Sequence, residues 1–293
     1  MAALLPALII ACSPIITEQG SINAYFCPEC EGLLTTLLNQ SNGKCAFYDL
    51  DSDEVIEALQ DDEVIVYDEN YNGFGEEVSS IGLMHNKFCI YNNRVITGSA
   101  NPTERGLNVN YNNIILIDSK TIANNYLQEF SELKQRGVQS TKNPIVNLSG
   151  TLIANYFCPE DSCEEKALEA LGSAQYSIHF MTFSFTSDPI GDLLIEKSKA
   201  IEVEGLMESF GLNKYSEYEK LMAAGIPVKL EQTSAMLHHK VFIVDKKIVI
   251  TGSYNPTSAG NTKNDENMLI IHDQGIASQF LAEYEVLKNI NAD

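Results

Sequence analysis

The stretch that decides the fold is His238-His239-Lys240-Val241-Phe242-Ile243-Val244-Asp245. Residues 241–244 are an uninterrupted apolar run, which is typical of a buried β-strand. His238 and Lys240 are two positions apart, so in an extended chain their side chains point to the same face. Asp245-Lys246-Lys247 predicts a turn after the strand. The stretch therefore predicts a buried hairpin that presents an imidazole and an ammonium group together.

The same arrangement occurs in the first half of the chain. After the hairpin, residues 248–250 lead into Thr251-Gly252-Ser253-Tyr254-Asn255-Pro256-Thr257. In the first half, His85-Asn86-Lys87-Phe88-Cys89-Ile90-Tyr91-Asn92 precedes Val95-Ile96-Thr97-Gly98-Ser99-Ala100-Asn101-Pro102-Thr103. Both copies share H-x-K, an apolar strand, I-T-G-S and N-P-T. Packing alone does not explain such a set of polar residues twice, so the repeat indicates a duplicated functional site.

A second repeated stretch marks the start of each half. Tyr25-Phe26-Cys27-Pro28-Glu29 corresponds to Tyr156-Phe157-Cys158-Pro159-Glu160, and strands alternate with helices after both. This alternation predicts an α/β fold with layered helices and sheets. We expect two lobes related by a pseudo-twofold axis, spanning residues 21–148 and 149–293, with both H-x-K motifs facing the interface between them.

Residues 1–20 are predicted to be a signal or anchor segment. Residues 2–11 are apolar and uncharged, and Ile9-Ile10-Ala11-Cys12 has the form of a weak lipoprotein cleavage box. The run is too short to span a bilayer as a standard helix. No Lys or Arg occurs before Lys44, although secretory signals begin with positive charge. Export with a membrane tether and a cytoplasmic location both stay open.

Charge limits the kind of surface that the protein presents. The 293 residues carry a formal net charge of −21, and 44% of them are hydrophobic, which is enough for a sizeable core. This charge argues against a broad cationic nucleic-acid surface. It leaves room for a small basic cleft within an acidic molecule.

Cysteine spacing allows more than one interpretation. Four of the seven cysteines form two close pairs at equivalent places in the repeats: Cys27 with Cys30, and Cys158 with Cys163. The equivalence favours local disulfides or free thiols, whereas a shared zinc site is the alternative. Cys45 and Cys89 lie in apolar runs and are interpreted as buried small hydrophobic residues.

The repeated residues are suited to phosphoryl chemistry. A neutral imidazole can attack phosphorus, and a second imidazolium can protonate the leaving oxygen and later activate water. Lysine and asparagine side chains can hold the non-bridging phosphate oxygens. The pattern requires no metal and no cofactor.

On these motifs the chain resembles the phospholipase D superfamily, whose signature is H-x-K-x4-D followed by G-S-x-N. The resemblance extends from Tyr25 to about Ile271. It implies two α/β/α lobes with mixed sheets and an active site at their interface. It also implies a phosphohistidine intermediate and metal-independent cleavage or transfer at a phosphodiester.

Carried over by position, the resemblance implies roles for particular residues of this chain. His85 and His238 correspond to the nucleophile and the acid/base. The remaining catalytic positions are Lys87, Lys240, Asn101, Asn255 and Glu266. Substrate-binding positions are Ser99 and Ser253, and the structural motif positions are Asn92 and Asp245.

The first copy departs from the family pattern. Asn92 stands where the motif has aspartate, and Asn112 stands where the second copy has Glu266. Glu266 is therefore expected to orient His238, and His85 is expected to lack a carboxylate partner. Which histidine is the nucleophile stays open.

The predicted function is a metal-independent phosphodiesterase, and a nuclease-like member acting on nucleic acid is favoured. The lobes have no long insertion for a lipid-binding loop, and the second copy is similar to small nuclease-like members. One alternative is a phospholipase D or phosphatidyl transferase acting on membrane lipid. Another is an inactive phosphate-binding module. A monomer is expected, because one chain carries both motifs.

Overall fold

The computed structural model describes residues 15–291, in which strands and helices are interleaved in two mixed sheets. The predicted α/β class is confirmed. Residues 1–14, which make up most of the predicted signal or anchor segment, lie outside the described residues. No helix within 15–291 has the length and apolar character needed to cross a membrane.

The first half of the chain builds most of one lobe. Its elements are β1 (Ile16–Glu18), β2 (Ser21–Cys27), α1 (Glu31–Leu38), β3 (Lys44–Phe47), α2 (Asp53–Ala58), β4 (Glu63–Tyr67), a short 3-10 helix (Asp68–Asn70), β5 (Glu76–Val78), β6 (Lys87–Tyr91), β7 (Arg94–Gly98), α3 (Glu104–Asn108), β8 (Asn112–Asp118) and α4 (Lys120–Gln135).

The second half repeats this order. Its elements are β9 (Ile145–Leu148), β10 (Thr151–Cys158), α5 (Cys163–Gly172), β11 (Ser177–Thr182), α6 (Asp188–Ser198), β12 (Glu202–Glu208), α7 (Tyr218–Ala223), β13 (Val228–Glu231), β14 (Lys240–Val244), β15 (Ile248–Gly252), α8 (Ser258–Thr262), β16 (Glu266–His272) and α9 (Gln274–Ile290).

The two sheets share one strand order. The first sheet runs β2-β8-β7-β6-β3-β4-β5, and the second contains the equivalent series β10-β16-β15-β14-β11-β12-β13. Register is equivalent as well, because Lys87 lies opposite Phe47 and Lys240 lies opposite Thr182. The two H-x-K motifs therefore occupy matching places in matching sheets.

Two strands extend the second sheet beyond this shared order. β1 pairs in parallel with β9, with Ile16 opposite Val146, and β9 pairs with β10. The sheet of the second lobe thus includes β1 from the start of the described chain. It also includes β9, which the predicted division at residue 148 assigns to the first lobe.

Equivalent serines start equivalent helices. The Ser52 hydroxyl accepts a hydrogen bond from the Val55 N–H at the start of α2, and Ser187 does the same for Ile190 at the start of α6. Such caps satisfy backbone donors that have no partner within the helix. They start α2 and α6 soon after β3 and β11.

Aromatic packing joins the lobes. Tyr126 of α4 packs edge-to-face against Phe157 of β10, with 4.9 Å between ring centroids. Phe280 of α9 packs in the same way against Phe26 of β2, at 5.0 Å. Each long helix therefore also packs against the other lobe. Burying an aromatic side chain of this size stabilises the fold by roughly 1.5–3 kcal/mol.

Three disulfides correct one interpretation of the cysteines and decide another. Cys27–Cys30 and Cys158–Cys163 are disulfides local to each repeat, which excludes the zinc alternative for these four cysteines. The interpretation of Cys45 and Cys89 as buried small hydrophobic residues is incomplete, since the two buried side chains form the third disulfide. They lie directly opposite each other on β3 and β6, a register that the sequence does not show.

Candidate active site

The two motif histidines precede β6 and β14, and backbone contacts between the lobes hold both in place. The His85 N–H donates to the Asp265 carbonyl at 2.9 Å, and the His238 N–H donates to the Tyr111 carbonyl at 2.9 Å. His85 is 6% exposed and His238 is 9% exposed. Both imidazoles are therefore positioned by the lobe to which they do not belong.

The two motif lysines lie beside the histidines. Lys87 Nζ donates to the His85 carbonyl at 2.6 Å, and Lys240 Nζ donates to the His238 carbonyl at 2.7 Å. Both ammonium groups are buried. Burial lowers the pKa of each histidine, and the positive charges of both lysines lower it further. The structure thus brings the predicted histidines and lysines of both copies into one site.

Glu266 contacts the histidine of the other copy. His85 Nδ1–H donates to Glu266 Oε2 at 2.6 Å, and the Glu266 side chain is fully buried. The expectation that Glu266 orients His238 and that His85 lacks a carboxylate partner is wrong. β16 begins at the lobe interface, so its first residue reaches the opposite motif. The bond fixes the His85 tautomer in which Nε2 is free.

For His238, a side-chain amide takes the place of this carboxylate. Its Nδ1–H lies 2.9 Å from Asn112 Oδ1 and 3.1 Å from the Ser99 carbonyl oxygen. Asn112 Nδ2 donates to the Gly106 carbonyl at 2.9 Å, which orients the amide with its oxygen towards the imidazole. The lobes therefore exchange partners reciprocally, but one histidine faces a carboxylate and the other a neutral amide.

The predicted serines bond within the protein. Ser99 Oγ accepts from the Asn113 N–H at 3.0 Å, and Ser253 Oγ accepts from the Asn267 N–H at 2.9 Å. Asn101 and Asn255 differ from them. Within the described residues, their buried Oδ1 atoms have no hydrogen-bond partner.

The two motif-aspartate positions lie in turns beyond the far ends of β6 and β14. Asn92 and Asp245 have positive φ angles of 55° and 51°. Asp245 accepts hydrogen bonds from the backbone N–H groups of Gln175, Tyr176 and Ser177, which lead into β11. The carboxylate thus fastens the hairpin to the neighbouring strand.

Two aromatic residues of the site were not found from the sequence. The Tyr48 ring lies edge-on to the His85 imidazole at 4.8 Å, and Lys87 Nζ lies 5.0 Å from the Tyr48 ring centroid. Phe183 repeats this arrangement with His238 at 4.7 Å and Lys240 at 5.0 Å. Tyr48 and Phe183 directly follow β3 and β11, and that equivalence was the available signal.

Burial governs the charges of the site. Burial and the neighbouring lysines hold the pKa values of His85 and His238 well below the usual range. Burial lowers the pKa of Lys87 to about 7 and that of Lys240 well below its usual value. Burial also raises the pKa of Glu266 to about 7. A bound anion opposes this loss of positive charge, because it raises the pKa of every cation near it.

Behind the motif histidines and lysines, hydrogen bonds cross the lobe interface. Asn86 accepts from Asn267 Nδ2 at 2.9 Å and donates to Glu129 Oε1 at 2.9 Å. In the other copy, His239 Nδ1 lies 3.1 Å from Asn113 Nδ2. The middle residue of each H-x-K motif therefore links the lobes.

Two side-chain clusters in the described residues have the spacing of metal ligands. One consists of His179, Glu202 and Glu204, and the other of Glu129, Glu132 and Glu160. Neither contains a motif histidine. In the first cluster, Lys288 Nζ already donates to both Glu204 oxygens, at 2.7 and 2.9 Å.

A family model described as "Cardiolipin synthase, PLD-like domain" matches residues 15–134 and 167–288. A phospholipase D of Rickettsia conorii is 32% identical over 142 residues, which are 48% of this chain and 71% of the relative. The mitochondrial cardiolipin hydrolase of Canis lupus familiaris is 36% identical over 128 residues, 43% of this chain and 50% of the relative.

Among solved structures, the fold is similar to that of phosphatidylserine synthase from Haemophilus influenzae Rd KW20. The TM-score is 0.66 at 13% identity, and the match covers 91% of this chain and 85% of that chain. This likeness supports the two-lobed architecture.

Proposed function

This chain belongs to the phospholipase D-like family and is a phosphodiester hydrolase, and we propose that it works through a phosphohistidine formed between its two lobes. The observation that carries the proposal is the unequal pairing of the two buried histidines. His85 Nδ1 faces the carboxylate of Glu266, and His238 Nδ1 faces the amide of Asn112.

We assign the nucleophile to His85. The bond from Nδ1 to Glu266 leaves the lone pair of Nε2 free to attack phosphorus. As the N–P bond forms, the bond from phosphorus to the leaving oxygen breaks and the imidazole gains positive charge. Glu266 stabilises that charge, because an anion next to a cation favours the charged form.

His238 is then the general acid and base. Its protonated Nε2 delivers a proton to the leaving oxygen, which departs as an alcohol. In the second step neutral His238 takes a proton from water, the water oxygen bonds to phosphorus, and the N–P bond breaks. His85 returns to its neutral form, and the product is a phosphomonoester. The neutral partner Asn112 suits this role, since it leaves His238 the more acidic imidazolium.

Side chains supply the positive charge for the phosphate in this proposal. Lys87 and Lys240 neutralise the non-bridging oxygens, and the amides of Asn101 and Asn255 hold them. The amide N–H groups are the donors in this role, because the unpaired Oδ1 atoms of both side chains are acceptors and cannot bond a phosphate oxygen. The reaction is accordingly expected to continue in a chelator.

Two substrate classes fit this chemistry. The acidic charge of −21 opposes a polyanion, and the matched relatives are named phospholipase D and mitochondrial cardiolipin hydrolase. We therefore propose a phospholipid ester as the substrate. A nucleic-acid strand is the second candidate, favoured by compact lobes that lack a long lipid-binding insertion.

Covalent trapping tests the mechanism. The substrate is bis(p-nitrophenyl) phosphate in the presence of a chelator, since its leaving group departs without a proton. His238→Ala is expected to release about one p-nitrophenolate per chain and then stop, with an acid-labile phosphoryl group on His85. His85→Ala is expected to give neither burst nor label. A label on His238 in the His85→Ala chain would contradict the assignment.

Substrate class is tested with wild type in the same buffer. Phosphatidylcholine vesicles, single-stranded DNA and duplex DNA are supplied separately, and His85→Ala serves as the control for contaminating enzymes. Cleavage of vesicle lipid alone supports the phospholipid. Cleavage of DNA alone replaces it with the second candidate.

A further inference from the structure

We propose that the second lobe contains an apolar subsite that receives one substituent of the phosphodiester. This inference rests on the proposed function. A cavity of about 200 Å³ also exists elsewhere at the lobe interface, but the subsite is a smaller cavity of about 120 Å³ near the catalytic residues. Its apolar lining comes from the residues after β11, the end of β12 and the loop after β12: Phe183, Phe185, Met207, Phe210 and Leu212.

The cavity and the catalytic residues share a wall. Phe183 lines the cavity, and its ring also lies 4.7 Å from the His238 imidazole and 5.0 Å from Lys240 Nζ. A group that occupies the cavity is therefore one aromatic ring away from the acid/base. That spacing suits a substituent joined to phosphorus through an ester oxygen.

Glu208 fixes the loop of the cavity relative to His238. Its Oε1 accepts from the Phe210 N–H at 2.7 Å, and its Oε2 accepts from the Leu237 N–H at 2.7 Å. Leu237 directly precedes His238. One buried carboxylate therefore sets the position of the loop and of the catalytic strand together.

Three of the five polar side chains that line the cavity, those of Glu208, Asn213 and Ser216, make hydrogen bonds within the protein, and the other two are the uncharged hydroxyls of Ser184 and Thr186. Both oxygens of Glu208 accept backbone hydrogen bonds. Asn213 Oδ1 accepts from the Tyr215 N–H at 2.9 Å, and Ser216 Oγ accepts from the Tyr218 N–H at 3.4 Å. Phe210 is 68% exposed, so an apolar ligand would remove aromatic surface from water there. The cavity thus favours an apolar ligand over a charged one.

The equivalent loop of the first lobe is built differently. It follows β4, and its side-chain amides fasten it to the end of β3. Asn70 Nδ2 donates to the Tyr48 carbonyl at 2.9 Å, and Asn72 Nδ2 donates to the Leu50 carbonyl at 2.6 Å. The phosphate therefore lies between unlike surroundings, and the apolar substituent belongs on the side of the second lobe.

The cavity volume limits the size of this substituent. A volume of about 120 Å³ is that of a small cavity, so the subsite is matched to a short segment of an alkyl chain. Any longer chain would extend past Phe210 into solvent.

Binding of phosphinates tests the subsite without turnover. In these probes carbon replaces both ester oxygens, so no bond can be hydrolysed. Calorimetry would compare dimethyl, methyl butyl and methyl octyl phosphinate on wild type. The butyl compound is expected to bind about 30-fold more tightly than the dimethyl compound, since each buried methylene contributes about threefold to fourfold. The octyl compound is expected to gain little more.

Two variants with matched exposure provide the control. Phe210→Ser is expected to reduce the butyl-to-dimethyl ratio below about tenfold. Tyr176 is 70% exposed and Phe210 is 68% exposed. Tyr176 precedes β11, however, and lies at the opposite end of that strand from Phe183. Tyr176→Ser is expected to keep the wild-type ratio.

The outcomes separate the two proposals. Equal affinities for the three phosphinates, in a protein that still forms phosphohistidine, would overturn the subsite alone. The subsite is likewise overturned if Phe210→Ser keeps the wild-type ratio of butyl to dimethyl affinity. Failure to bind any phosphinate, together with failure to hydrolyse bis(p-nitrophenyl) phosphate, would overturn the subsite and the proposed function together.

Discussion

Glu266 in the second lobe accepts a hydrogen bond from Nδ1 of His85 in the first lobe, with 2.6 Å between the two atoms. The Glu266 side chain is fully buried. In the reverse direction, Asn112 in the first lobe contacts His238 in the second lobe. Both imidazoles are buried, and burial followed by the nearby lysines lowers the pKa of both, so the two sites differ in their Nδ1 partners, a carboxylate and an amide. The two predictions that follow use the partners to tell the histidines apart.

Replacing Glu266 by Gln removes the anion and keeps a group that can accept the Nδ1–H. The pKa of His85 falls, because the carboxylate no longer stabilises its protonated form. A nucleophile must be neutral, so the acid limb of the kcat/KM profile is expected to move to lower pH. The maximal rate is expected to fall about 100-fold. Movement of the alkaline limb instead would assign His85 as the acid.

Replacing Asn112 by Asp gives His238 a carboxylate partner. The pKa of His238 rises, and an acid that must be protonated then stays active at higher pH. The alkaline limb of kcat/KM is expected to move up by about one pH unit. Asn112→Ala is the matched variant, since it removes the amide without adding charge. An alkaline limb that is the same in all three proteins would contradict the role of His238.

The aromatic rings beside the lysines are expected to act as positioning residues. Phe183→Leu removes the ring on which Lys240 and His238 lie, and a ring–cation contact of this kind contributes about 0.5–2 kcal/mol. The expected effect is a fall of up to about tenfold in kcat. The alkaline limb of the kcat/KM profile is expected to move to lower pH, because the pKa of Lys240 falls further.

Conservative exchanges between the copies are the control for this prediction. Phe183→Tyr gives the second copy the residue of the first, and Tyr48→Phe does the reverse. Both keep a ring at 4.7–4.8 Å from an imidazole and are expected to retain activity. Loss of activity in Tyr48→Phe would show that the hydroxyl, and not the ring, is needed.

Glu160 makes the stability depend on pH. Its carboxylate lies within 4.8 Å of those of Glu129 and Glu132, and burial raises its pKa to about 7. The folded chain therefore binds more protons than the unfolded chain between about pH 4.5 and pH 7, so this contribution to stability declines as pH rises through that window. Glu160→Gln is expected to raise the free energy of unfolding at pH 8 by on the order of 2 kcal/mol.

Denaturant unfolding at two pH values checks this prediction. At pH 4.5 the Gln variant and wild type are expected to have nearly equal stability, because the folded wild type is neutral at residue 160 and its unfolded chain is only about half ionised there. Glu165→Gln, an exposed site on α5, is the control and is expected to show no such difference. A constant gain at both pH values would attribute the effect to packing.

The motifs could be predicted from the sequence because they depend on local spacing. His85 with Lys87, and His238 with Lys240, meet by the two-residue period of an extended chain, and the repeat confirms each by the other. The pairing of Glu266 with His85 was mispredicted because it depends on how the lobes dock. In the sequence, Glu266 is closer to His238 than to His85.

Strand register explains two further differences. The Cys45–Cys89 disulfide requires β3 and β6 to pair with these residues opposite each other. The addition of β1 to the second sheet requires contact between residues about 130 positions apart, Ile16 and Val146. Neither pairing leaves a local pattern in the sequence. Tyr48 and Phe183 did leave one, as equivalent residues after equivalent strands.

The covalent linkage of the two lobes has a consequence for inheritance. In a symmetric pair of identical chains, a single substitution changes the partner of both histidines at once, so both histidines must have the same kind of partner. Here residues 112 and 266 are encoded separately, and one is an amide while the other is a carboxylate. One chain can therefore specialise its two imidazoles independently, which two copies of one gene product in symmetric association cannot do.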